Sequence, residues 1–201
     1  MLREQVQAFA LAAADRPLRI LIPMVTSLEE LRRMRTRIGE ALAGLDGQGA
    51  RKAPEIGVMI EVPAAVELAA EISREADFLS IGTNDLVQYA LVVDREDARM
   101  ASMSDPYHPA ILRMIARVAG AARAAGKAVG VCGEMAARPD LALALTALGV
   151  DSLSVVPTAI PELKQALAGA RLEPMRRAMP RILELSDTRS VAAALREAQS
   201  V

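Results

Sequence analysis

Two acidic residues, Glu61 and Asp85, stand where short apolar segments of the sequence end. Glu61 lies within IGVMIEV, where the next residues are still apolar, and Asp85 follows the apolar part of DFLSIGTNDLVQY. A carboxylate in apolar surroundings is destabilising unless it is paired with a cation. Asp85 follows Glu61 by 24 positions, a spacing that fits one strand–helix–strand unit, and neighbouring parallel strands lie about 5 Å apart. The pair is therefore predicted to bind one Mg²⁺ or Mn²⁺, with substrate oxygens and waters as the other ligands.

Each acidic residue also has an ordinary structural interpretation. Asp85 could be the N-cap of the segment that follows it, because aspartate is favoured at that position. Glu61 could form a salt bridge with a nearby arginine. The cation site is favoured because the two carboxylates occupy matching positions at the ends of successive strands.

Three further residues near Asp85 could bind an anionic substrate. Gly82 permits a close approach of the backbone, and Asn84 supplies an amide for a phosphate or carboxylate oxygen. Arg95, in the segment VVDRED, could bind a phosphate through two parallel hydrogen bonds. The alternatives are turn residues at positions 82 and 84, and a solvated surface arginine at position 95.

The single cysteine, Cys132, lies at the end of another apolar segment, in GVCGEM. A packed and inert thiol is one interpretation, since cysteine is among the most buried residues. The other is a proton donor to carbon, which needs no neighbouring histidine. Glu134 could support this thiol or cap the next helix. The single histidine, His108, precedes a proline that is suited to the start of a helix, and it is predicted to have a structural, cap-like role.

Five short, β-branched apolar segments are predicted to be strands, and amphipathic helical patterns lie between them. The strands are LRILIP (18–23), IGVMIEV (56–62), DFLSIG (77–82), AVGVCG (128–133) and DSLSVV (151–156). The helices are predicted over 27–45, 63–76, 108–126 and 138–149. Alternating strands and helices favour a parallel α/β sheet, in which functional residues follow the C-terminal ends of strands.

Five strands are too few to close an eight-stranded barrel, and the sequence after Pro161 is helical. Any missing strands are expected before Met1, which would leave LRILIP as an apolar edge strand that can pair with another chain. Residues 1–170 are assigned to the barrel domain, and residues 171–201 to a helical tail of the same domain.

The composition excludes several classes of protein. The 201 residues carry a net charge of −1, which does not favour a nucleic-acid partner. No run of 18 apolar residues or signal peptide is present, so no membrane association is expected. One cysteine excludes an intrachain disulfide and is typical of a reducing compartment, so a cytoplasmic location is expected.

Several segments together resemble a known domain. LRILIPMVTSLEELR, IGVMIEVPAA, ADFLSIGTNDLVQYALVVDR, DPYHPAILRMI and GKAVGVCGEMA, in this order over about residues 2–170, resemble the C-terminal, phosphoenolpyruvate-binding domain of enzyme I of the bacterial sugar phosphotransferase system. Enzyme I belongs to the PEP-utilising enzymes. The TNDL-Q-Y-x-L-x-V-DR and CGE strings are the specific part of the pattern.

The resemblance implies a partial TIM-type (β/α) barrel that comprises the last five of eight strands, followed by C-terminal helices. It implies that Glu61 and Asp85 bind Mg²⁺ or Mn²⁺, that Asn84, Asp85 and Arg95 bind the substrate, and that Cys132 protonates the enolate carbon as pyruvate forms. The intact homodimeric enzyme would transfer phosphate from phosphoenolpyruvate to a histidine of an N-terminal domain, and then to the phosphocarrier protein HPr.

The chain also departs from this pattern. The arginines on earlier strands that grip the phosphate are absent, as is the phosphoacceptor domain, and His108 does not match the phosphoacceptor histidine. SVVPTAIPELK differs from the sequence that is usual in this family at the last strand. The sequence does not distinguish among the sugar, nitrogen-related and multidomain branches of enzyme I. The isolated chain is expected to be inactive and oligomeric. The alternatives are a non-catalytic dimerisation or regulatory module, and a metal-dependent pyruvate-enolate lyase, against which Cys132 and TNDL-Q-Y argue.

Overall fold

The computed structural model describes residues 1–13, 16–45, 53–94, 97, 99–100 and 103–200. Its single sheet has five strands in sequential order: β1 (Arg19–Ile22), β2 (Glu55–Ile60), β3 (Leu79–Gly82), β4 (Val129–Cys132) and β5 (Ser152–Ser154). All neighbouring strands pair in parallel. The five predicted strands and the parallel α/β architecture are therefore confirmed.

Ten α-helices lie in the part of the chain that the structure describes. They are α1 (Leu2–Ala13), α2 (Leu28–Ala43), α3 (Pro63–Glu67), α4 (Ala69–Glu75), α5 (Thr83–Leu91), α6 (Pro109–Ala124), α7 (Pro139–Leu148), α8 (Ile160–Gly169), α9 (Leu172–Glu184) and α10 (Thr188–Gln199). Two short 3₁₀ turns, Glu134–Ala137 and Pro157–Ala159, follow β4 and β5.

The helix ends agree with most of the signals in the sequence. Ser27 caps α2 by accepting a hydrogen bond from the backbone N–H of Glu30 at 3.2 Å. Gly149 ends α7 with a φ of 97°, a conformation that glycine adopts readily. His108 caps α6, since its Nδ1 accepts from the Ala110 backbone N–H at 3.2 Å. The structural role predicted for His108 is therefore confirmed.

Two predicted elements differ from the structure. The helix predicted over 63–76 is divided into α3 and α4, because Leu68 has a φ of −93° and a ψ of 12°, outside the helical range. A turn is one interpretation of the sequence at positions 82 and 84, but helix α5 begins at Thr83, directly after β3. Gly82 occupies the N-cap position without a side-chain cap, so the interpretation of Asp85 as an N-cap is wrong.

The two faces of the sheet differ in their side chains. Large apolar residues cover one face and are at most 1% exposed: Val58, Ile60, Leu79, Ile81, Val129 and Val131. These residues belong to the main hydrophobic core that the sheet forms with its helices. Small or polar residues alternate with them along the strands and include Gly57, Ser80, Gly130 and Cys132. Removal of the large side chains from water stabilises the sheet that carries the site.

The helical C-terminal region packs onto the rest of the chain, because α9 contacts α7 and α10 contacts α9. The boundary predicted between residues 170 and 171 precedes α9 and stays a prediction. Within the described ranges, no helix combines the length and the apolar character that crossing a membrane requires.

Candidate site at the carboxyl ends of the strands

The register of the sheet brings the predicted site residues to one edge. Ile60 pairs with Ile81, and Gly82 pairs with Cys132. Glu61, the residue after β2, therefore lies level with the ends of β3 and β4. Because all the strands run in the same direction, Glu61, the first turn of α5 and Cys132 share the carboxyl edge of the sheet.

Glu61 is a buried carboxylate at this edge, and its side chain is held by the backbone. It is 3% exposed, and its Oε1 accepts a hydrogen bond of 2.8 Å from the Met24 backbone N–H. Across the described residues, none of the ion pairs involves Glu61. The alternative of a salt bridge between Glu61 and an arginine is therefore not realised in this part of the chain.

Asp85 brings a second carboxyl group next to Glu61. It lies in the first turn of α5, is half-buried, and forms a side-chain hydrogen bond with Glu61. Burial raises the pKa of Glu61, and the charge and hydrogen bond of Asp85 raise that pKa further, while the Met24 N–H opposes the shift. The structure thus brings the two predicted ligands together, in an arrangement that disfavours two negative charges without a cation.

Gly82 leaves the space that the Glu61 side chain occupies. A Cβ atom at position 82 would lie 2.7 Å from Glu61 Oε2 and 2.9 Å from Glu61 Cβ. Such contacts are far shorter than normal packing distances, so a larger residue would displace the carboxylate. The group that closely approaches Gly82 is therefore the Glu61 side chain. This contact was not predicted from the sequence.

Asn84 connects the start of α5 to the turn after β4. Its Oδ1 accepts a hydrogen bond from the Glu134 backbone N–H at 3.0 Å, and Thr83 Oγ1 donates to the Cys132 carbonyl at 2.9 Å. Gly133, with a φ of 115°, permits this approach, because a Cβ there would lie 2.7 Å from Asn84 Oδ1. The amide NH₂ group of Asn84 is the part of the side chain that can donate to a ligand.

Cys132 ends β4 with its thiol on the half-buried face of the sheet. Its Sγ lies 3.6 Å from the Ile81 carbonyl, to which it donates, and 3.8 Å from Ser80 Oγ, which donates to it. Ser80 and Thr83 were not predicted as site residues, although a hydroxyl group inside or directly after an apolar strand is a usable signal. The thiol is therefore oriented by two groups of β3.

Glu134 and Arg95 are the two remaining residues that the sequence suggested for the site. Glu134 begins the 3₁₀ turn after β4, and Gly133 is the N-cap of that turn. The capping role considered for the Glu134 side chain is therefore wrong, and its backbone N–H donates to Asn84 Oδ1. Arg95 lies outside the described residues.

An open cleft of about 410 Å³ lies beside Asn84, between the start of α5 and the turn after β4. Its lining includes Thr83, Asn84, Ser104, Glu134 and Arg138. The Arg138 guanidinium stacks 4.8 Å above the ring centroid of Tyr107 and donates to its hydroxyl group at 2.7 Å. The cleft is large enough for a small metabolite. Its lining residues do not include Glu61, Asp85 or Cys132.

The carboxylate pair can hold a divalent cation only with help from other ligands. Over the described ranges, no group of three His, Cys, Asp or Glu side chains converges. The two carboxylates fit Mg²⁺ or Mn²⁺, which bind proteins through one or two carboxylates while waters and substrate oxygens complete the octahedron. Both protein ligands would thus be oxygen atoms, and waters and substrate oxygens would occupy the other coordination positions.

The raised pKa of Glu61 predicts how stability depends on pH without metal. Glu61 in the folded protein retains a proton that the unfolded chain loses near the ordinary pKa of 4.5, so the contribution of Glu61 to the free energy of unfolding should fall as pH rises from 4.5 through the folded pKa. Glu61→Gln keeps an acceptor for the Met24 N–H but cannot ionise. The variant should therefore melt at a higher temperature than wild type at pH 7, by about 2–4 °C for each kcal/mol regained.

Melting curves in the presence of a chelator, from about pH 4 to pH 8, test this. Glu67→Gln is the matched control, since Glu67 is 67% exposed and pairs with Arg117. A Glu61→Gln variant that melts no higher than wild type at pH 7, or equal shifts in both variants, would contradict the prediction.

Comparisons with known proteins agree with one another. A family model described as "PEP-utilising enzyme, PEP-binding domain" matches residues 1–172. The phosphoenolpyruvate-protein phosphotransferase of Cupriavidus necator is 39% identical over 199 residues, which cover 98% of this chain and 34% of that protein. The multiphosphoryl transfer protein of Xanthomonas campestris pv. campestris is 42% identical over 205 residues, covering 100% of this chain and 24% of that protein. The chain thus spans about a third or less of the length of these relatives.

Solved structures with a similar fold include two other enzymes. A citrate lyase from Burkholderia xenovorans aligns with a TM-score of 0.61 and 19% identity, over 98% of this chain and 68% of that chain. Malate synthase of Haloferax volcanii aligns with a TM-score of 0.61 and 13% identity, over 83% of this chain and 46% of that chain. At these identities the likeness concerns the fold alone, and with the sheet order it confirms the predicted fold class.

Proposed function

The chain belongs to the PEP-utilising enzyme family through its PEP-binding domain, and we propose that it is the phosphoenolpyruvate-binding part of a phosphoenolpyruvate-protein phosphotransferase. The observation that carries this proposal is the buried Glu61 carboxyl beside Asp85, at the carboxyl ends of neighbouring parallel strands. A pair of this kind is suited to a divalent cation that shares its remaining positions with the oxygens of a phosphorylated substrate.

The proposed roles follow from the contacts at the strand ends. Glu61 and Asp85 would hold Mg²⁺ or Mn²⁺, which when bound neutralises charge on the phosphate and enolate oxygens. The Asn84 amide would donate to a substrate oxygen from the wall of the 410 Å³ cleft. Arg95 is proposed as a phosphate ligand on the resemblance alone.

Cys132 is proposed as the general acid. In the reaction, the bond between phosphorus and the enol oxygen breaks and a bond between phosphorus and a histidine nitrogen forms. The enolate that remains takes a proton on its terminal carbon to become pyruvate. The Cys132 thiol would supply that proton and leave a thiolate, and its orientation by Ser80 and the Ile81 carbonyl supports this role.

The remaining parts of the proposal concern the whole protein. The phosphoacceptor histidine, the transfer to HPr, the homodimer and the cytoplasmic location are proposed on the resemblance alone. The names of the relatives support only the transfer of phosphate from phosphoenolpyruvate to a protein. Strand β1 has a paired neighbour on one side only among the described strands, which also fits pairing with further strands of an intact barrel.

The experiment uses the full-length protein that carries this chain, with phosphoenolpyruvate labelled with ³²P. We expect label on the protein that is labile to acid, as phosphohistidine is, that depends on Mg²⁺ and that passes to purified HPr while pyruvate appears. Carbon–carbon cleavage of 2-hydroxy acids without labelling would instead identify a lyase. The absence of both reactions would identify a regulatory or dimerisation module, and either result would overturn the proposal.

A further inference from the structure

Met24 has an unusual backbone conformation at the carboxyl edge of the sheet. It is the second residue after β1 and has a φ of 55°. Among the described residues other than glycine, only Val92 also has a positive φ. Residues with a side chain avoid this left-handed region because Cβ approaches the neighbouring carbonyl oxygen. The Met24 side chain is 46% exposed, so its own packing does not explain why the strained conformation persists.

The backbone N–H of Met24 supplies the explanation. It donates to Glu61 Oε1 at 2.8 Å, and Glu61 is 3% exposed. A buried carboxylate oxygen without a hydrogen-bond donor is strongly destabilising, so this contact compensates for the strain. The left-handed turn after β1 is therefore coupled to the orientation of a side chain that follows β2.

The other carboxylate oxygen of Glu61 is confined from the opposite side. Oε2 lies 2.7 Å from the position that a Cβ of residue 82 would occupy, so only the bare glycine leaves it room. Gly82 ends the strand that leads into Asp85. One oxygen is thus bound to the backbone after β1, while the other is directed to the end of β3, near the second carboxylate.

We propose that Met24 is a positioning residue whose left-handed backbone holds Glu61 Oε1, so that Glu61 presents Oε2 alone to a cation. This inference rests on the cation site of the proposed function. A glutamate that offers one oxygen suits the octahedral shell of Mg²⁺ or Mn²⁺ better than the larger shell of Ca²⁺, which accepts two oxygens of one carboxylate. Met24 therefore contributes to both the affinity and the selectivity of the site through its backbone, and not through its thioether.

Substitutions that differ in their tolerance of the left-handed region test this. Glycine and asparagine adopt the conformation readily, whereas the β-branched isoleucine does not. Mn²⁺ binding to the 201-residue chain, measured by the loss of the free-ion electron paramagnetic resonance signal, should change less than about twofold in Met24→Gly and Met24→Asn. In Met24→Ile it should weaken by about tenfold, the effect typical of a lost partner of a metal ligand. Competition with Ca²⁺ should show less preference for Mn²⁺ in Met24→Ile.

Circular dichroism and melting curves determine whether Met24→Ile folds. If it does not, an ester in place of the amide at Met24 removes the N–H and keeps the side chain, and this variant should show the same tenfold loss. Equal losses in Met24→Gly, Met24→Asn and Met24→Ile would assign the effect to the side chain and overturn the inference. Unchanged affinity in the isoleucine or ester variant would overturn it as well. A wild-type chain that binds no Mn²⁺ would overturn the cation site of the proposed function and this inference together.

Discussion

Replacing Cys132 by alanine in the full-length protein is expected to lower turnover of phosphoenolpyruvate to pyruvate by about 10²–10⁴-fold, the usual contribution of a positioned proton donor. The thiol lies on the half-buried face of the sheet, where Ser80 and the Ile81 carbonyl fix its direction. The affinity for phosphoenolpyruvate should hardly change, because proton donation stabilises the transition state of the chemical step and not the bound ground state.

The comparison of turnover with substrate affinity distinguishes the two interpretations of Cys132. A packed and inert thiol could be replaced by alanine with a small loss of stability and normal turnover. Ser80→Ala is an informative companion variant, since it removes a hydroxyl that contacts Sγ at 3.8 Å and leaves the thiol in place. Its effect should be much smaller than that of Cys132→Ala. Normal turnover in Cys132→Ala would show that the thiol has only a packing role.

The second large effect concerns the 201-residue chain compared with the full-length protein. The chain should bind phosphoenolpyruvate about 10³–10⁶-fold more weakly and should not catalyse phosphoryl transfer, because the resemblance implies that arginines on strands outside these 201 residues bind the phosphate. Each lost charge-assisted contact weakens binding by about 1.5–3 kcal/mol, and two or three such losses give this range. Phosphoryl transfer depends mainly on positioning and on stabilising charge around the phosphate.

Calorimetry with Mg²⁺ and phosphoenolpyruvate on both proteins measures the difference, and light scattering gives the oligomeric state of the chain. One side of β1 pairs with none of the described strands, which is expected to favour association, so an oligomer is predicted. Micromolar binding by a monomer of the 201-residue chain would contradict both parts of this prediction.

The strands could be predicted from the sequence because their side chains are buried, and the parallel arrangement of these strands then places the site residues at one edge of the sheet. Strands such as β2 and β3 carry Val58, Ile60, Leu79 and Ile81 on a face covered by helices, and such segments are recognisable as short apolar runs. Once the strands are parallel and sequential, residues that follow them must meet at one edge. The proximity of Glu61 and Asp85 follows from these two facts.

The details of the site could not be predicted because they depend on backbone geometry. Methionine has no preference for the left-handed region, so nothing in the sequence indicates that the Met24 N–H turns toward Glu61. The exact start of α5 could not be predicted because Gly82 and the three residues that follow it are all types favoured at N-caps. The break at Leu68 has no proline or glycine to indicate it. Gly82 looked like a ligand-binding glycine, although the group that approaches it is the Glu61 side chain.

The central claim is that Glu61 and Asp85 form one divalent cation site, and Mn²⁺ titration of the 201-residue chain tests it most directly. We expect one Mn²⁺ per wild-type chain, displaced by Mg²⁺, and a loss of affinity of more than about 100-fold in both Glu61→Gln and Asp85→Asn, because each removes one of two protein ligands. The exposed control Glu67→Gln should bind like wild type. Wild-type affinity in either Glu61→Gln or Asp85→Asn would contradict the claim.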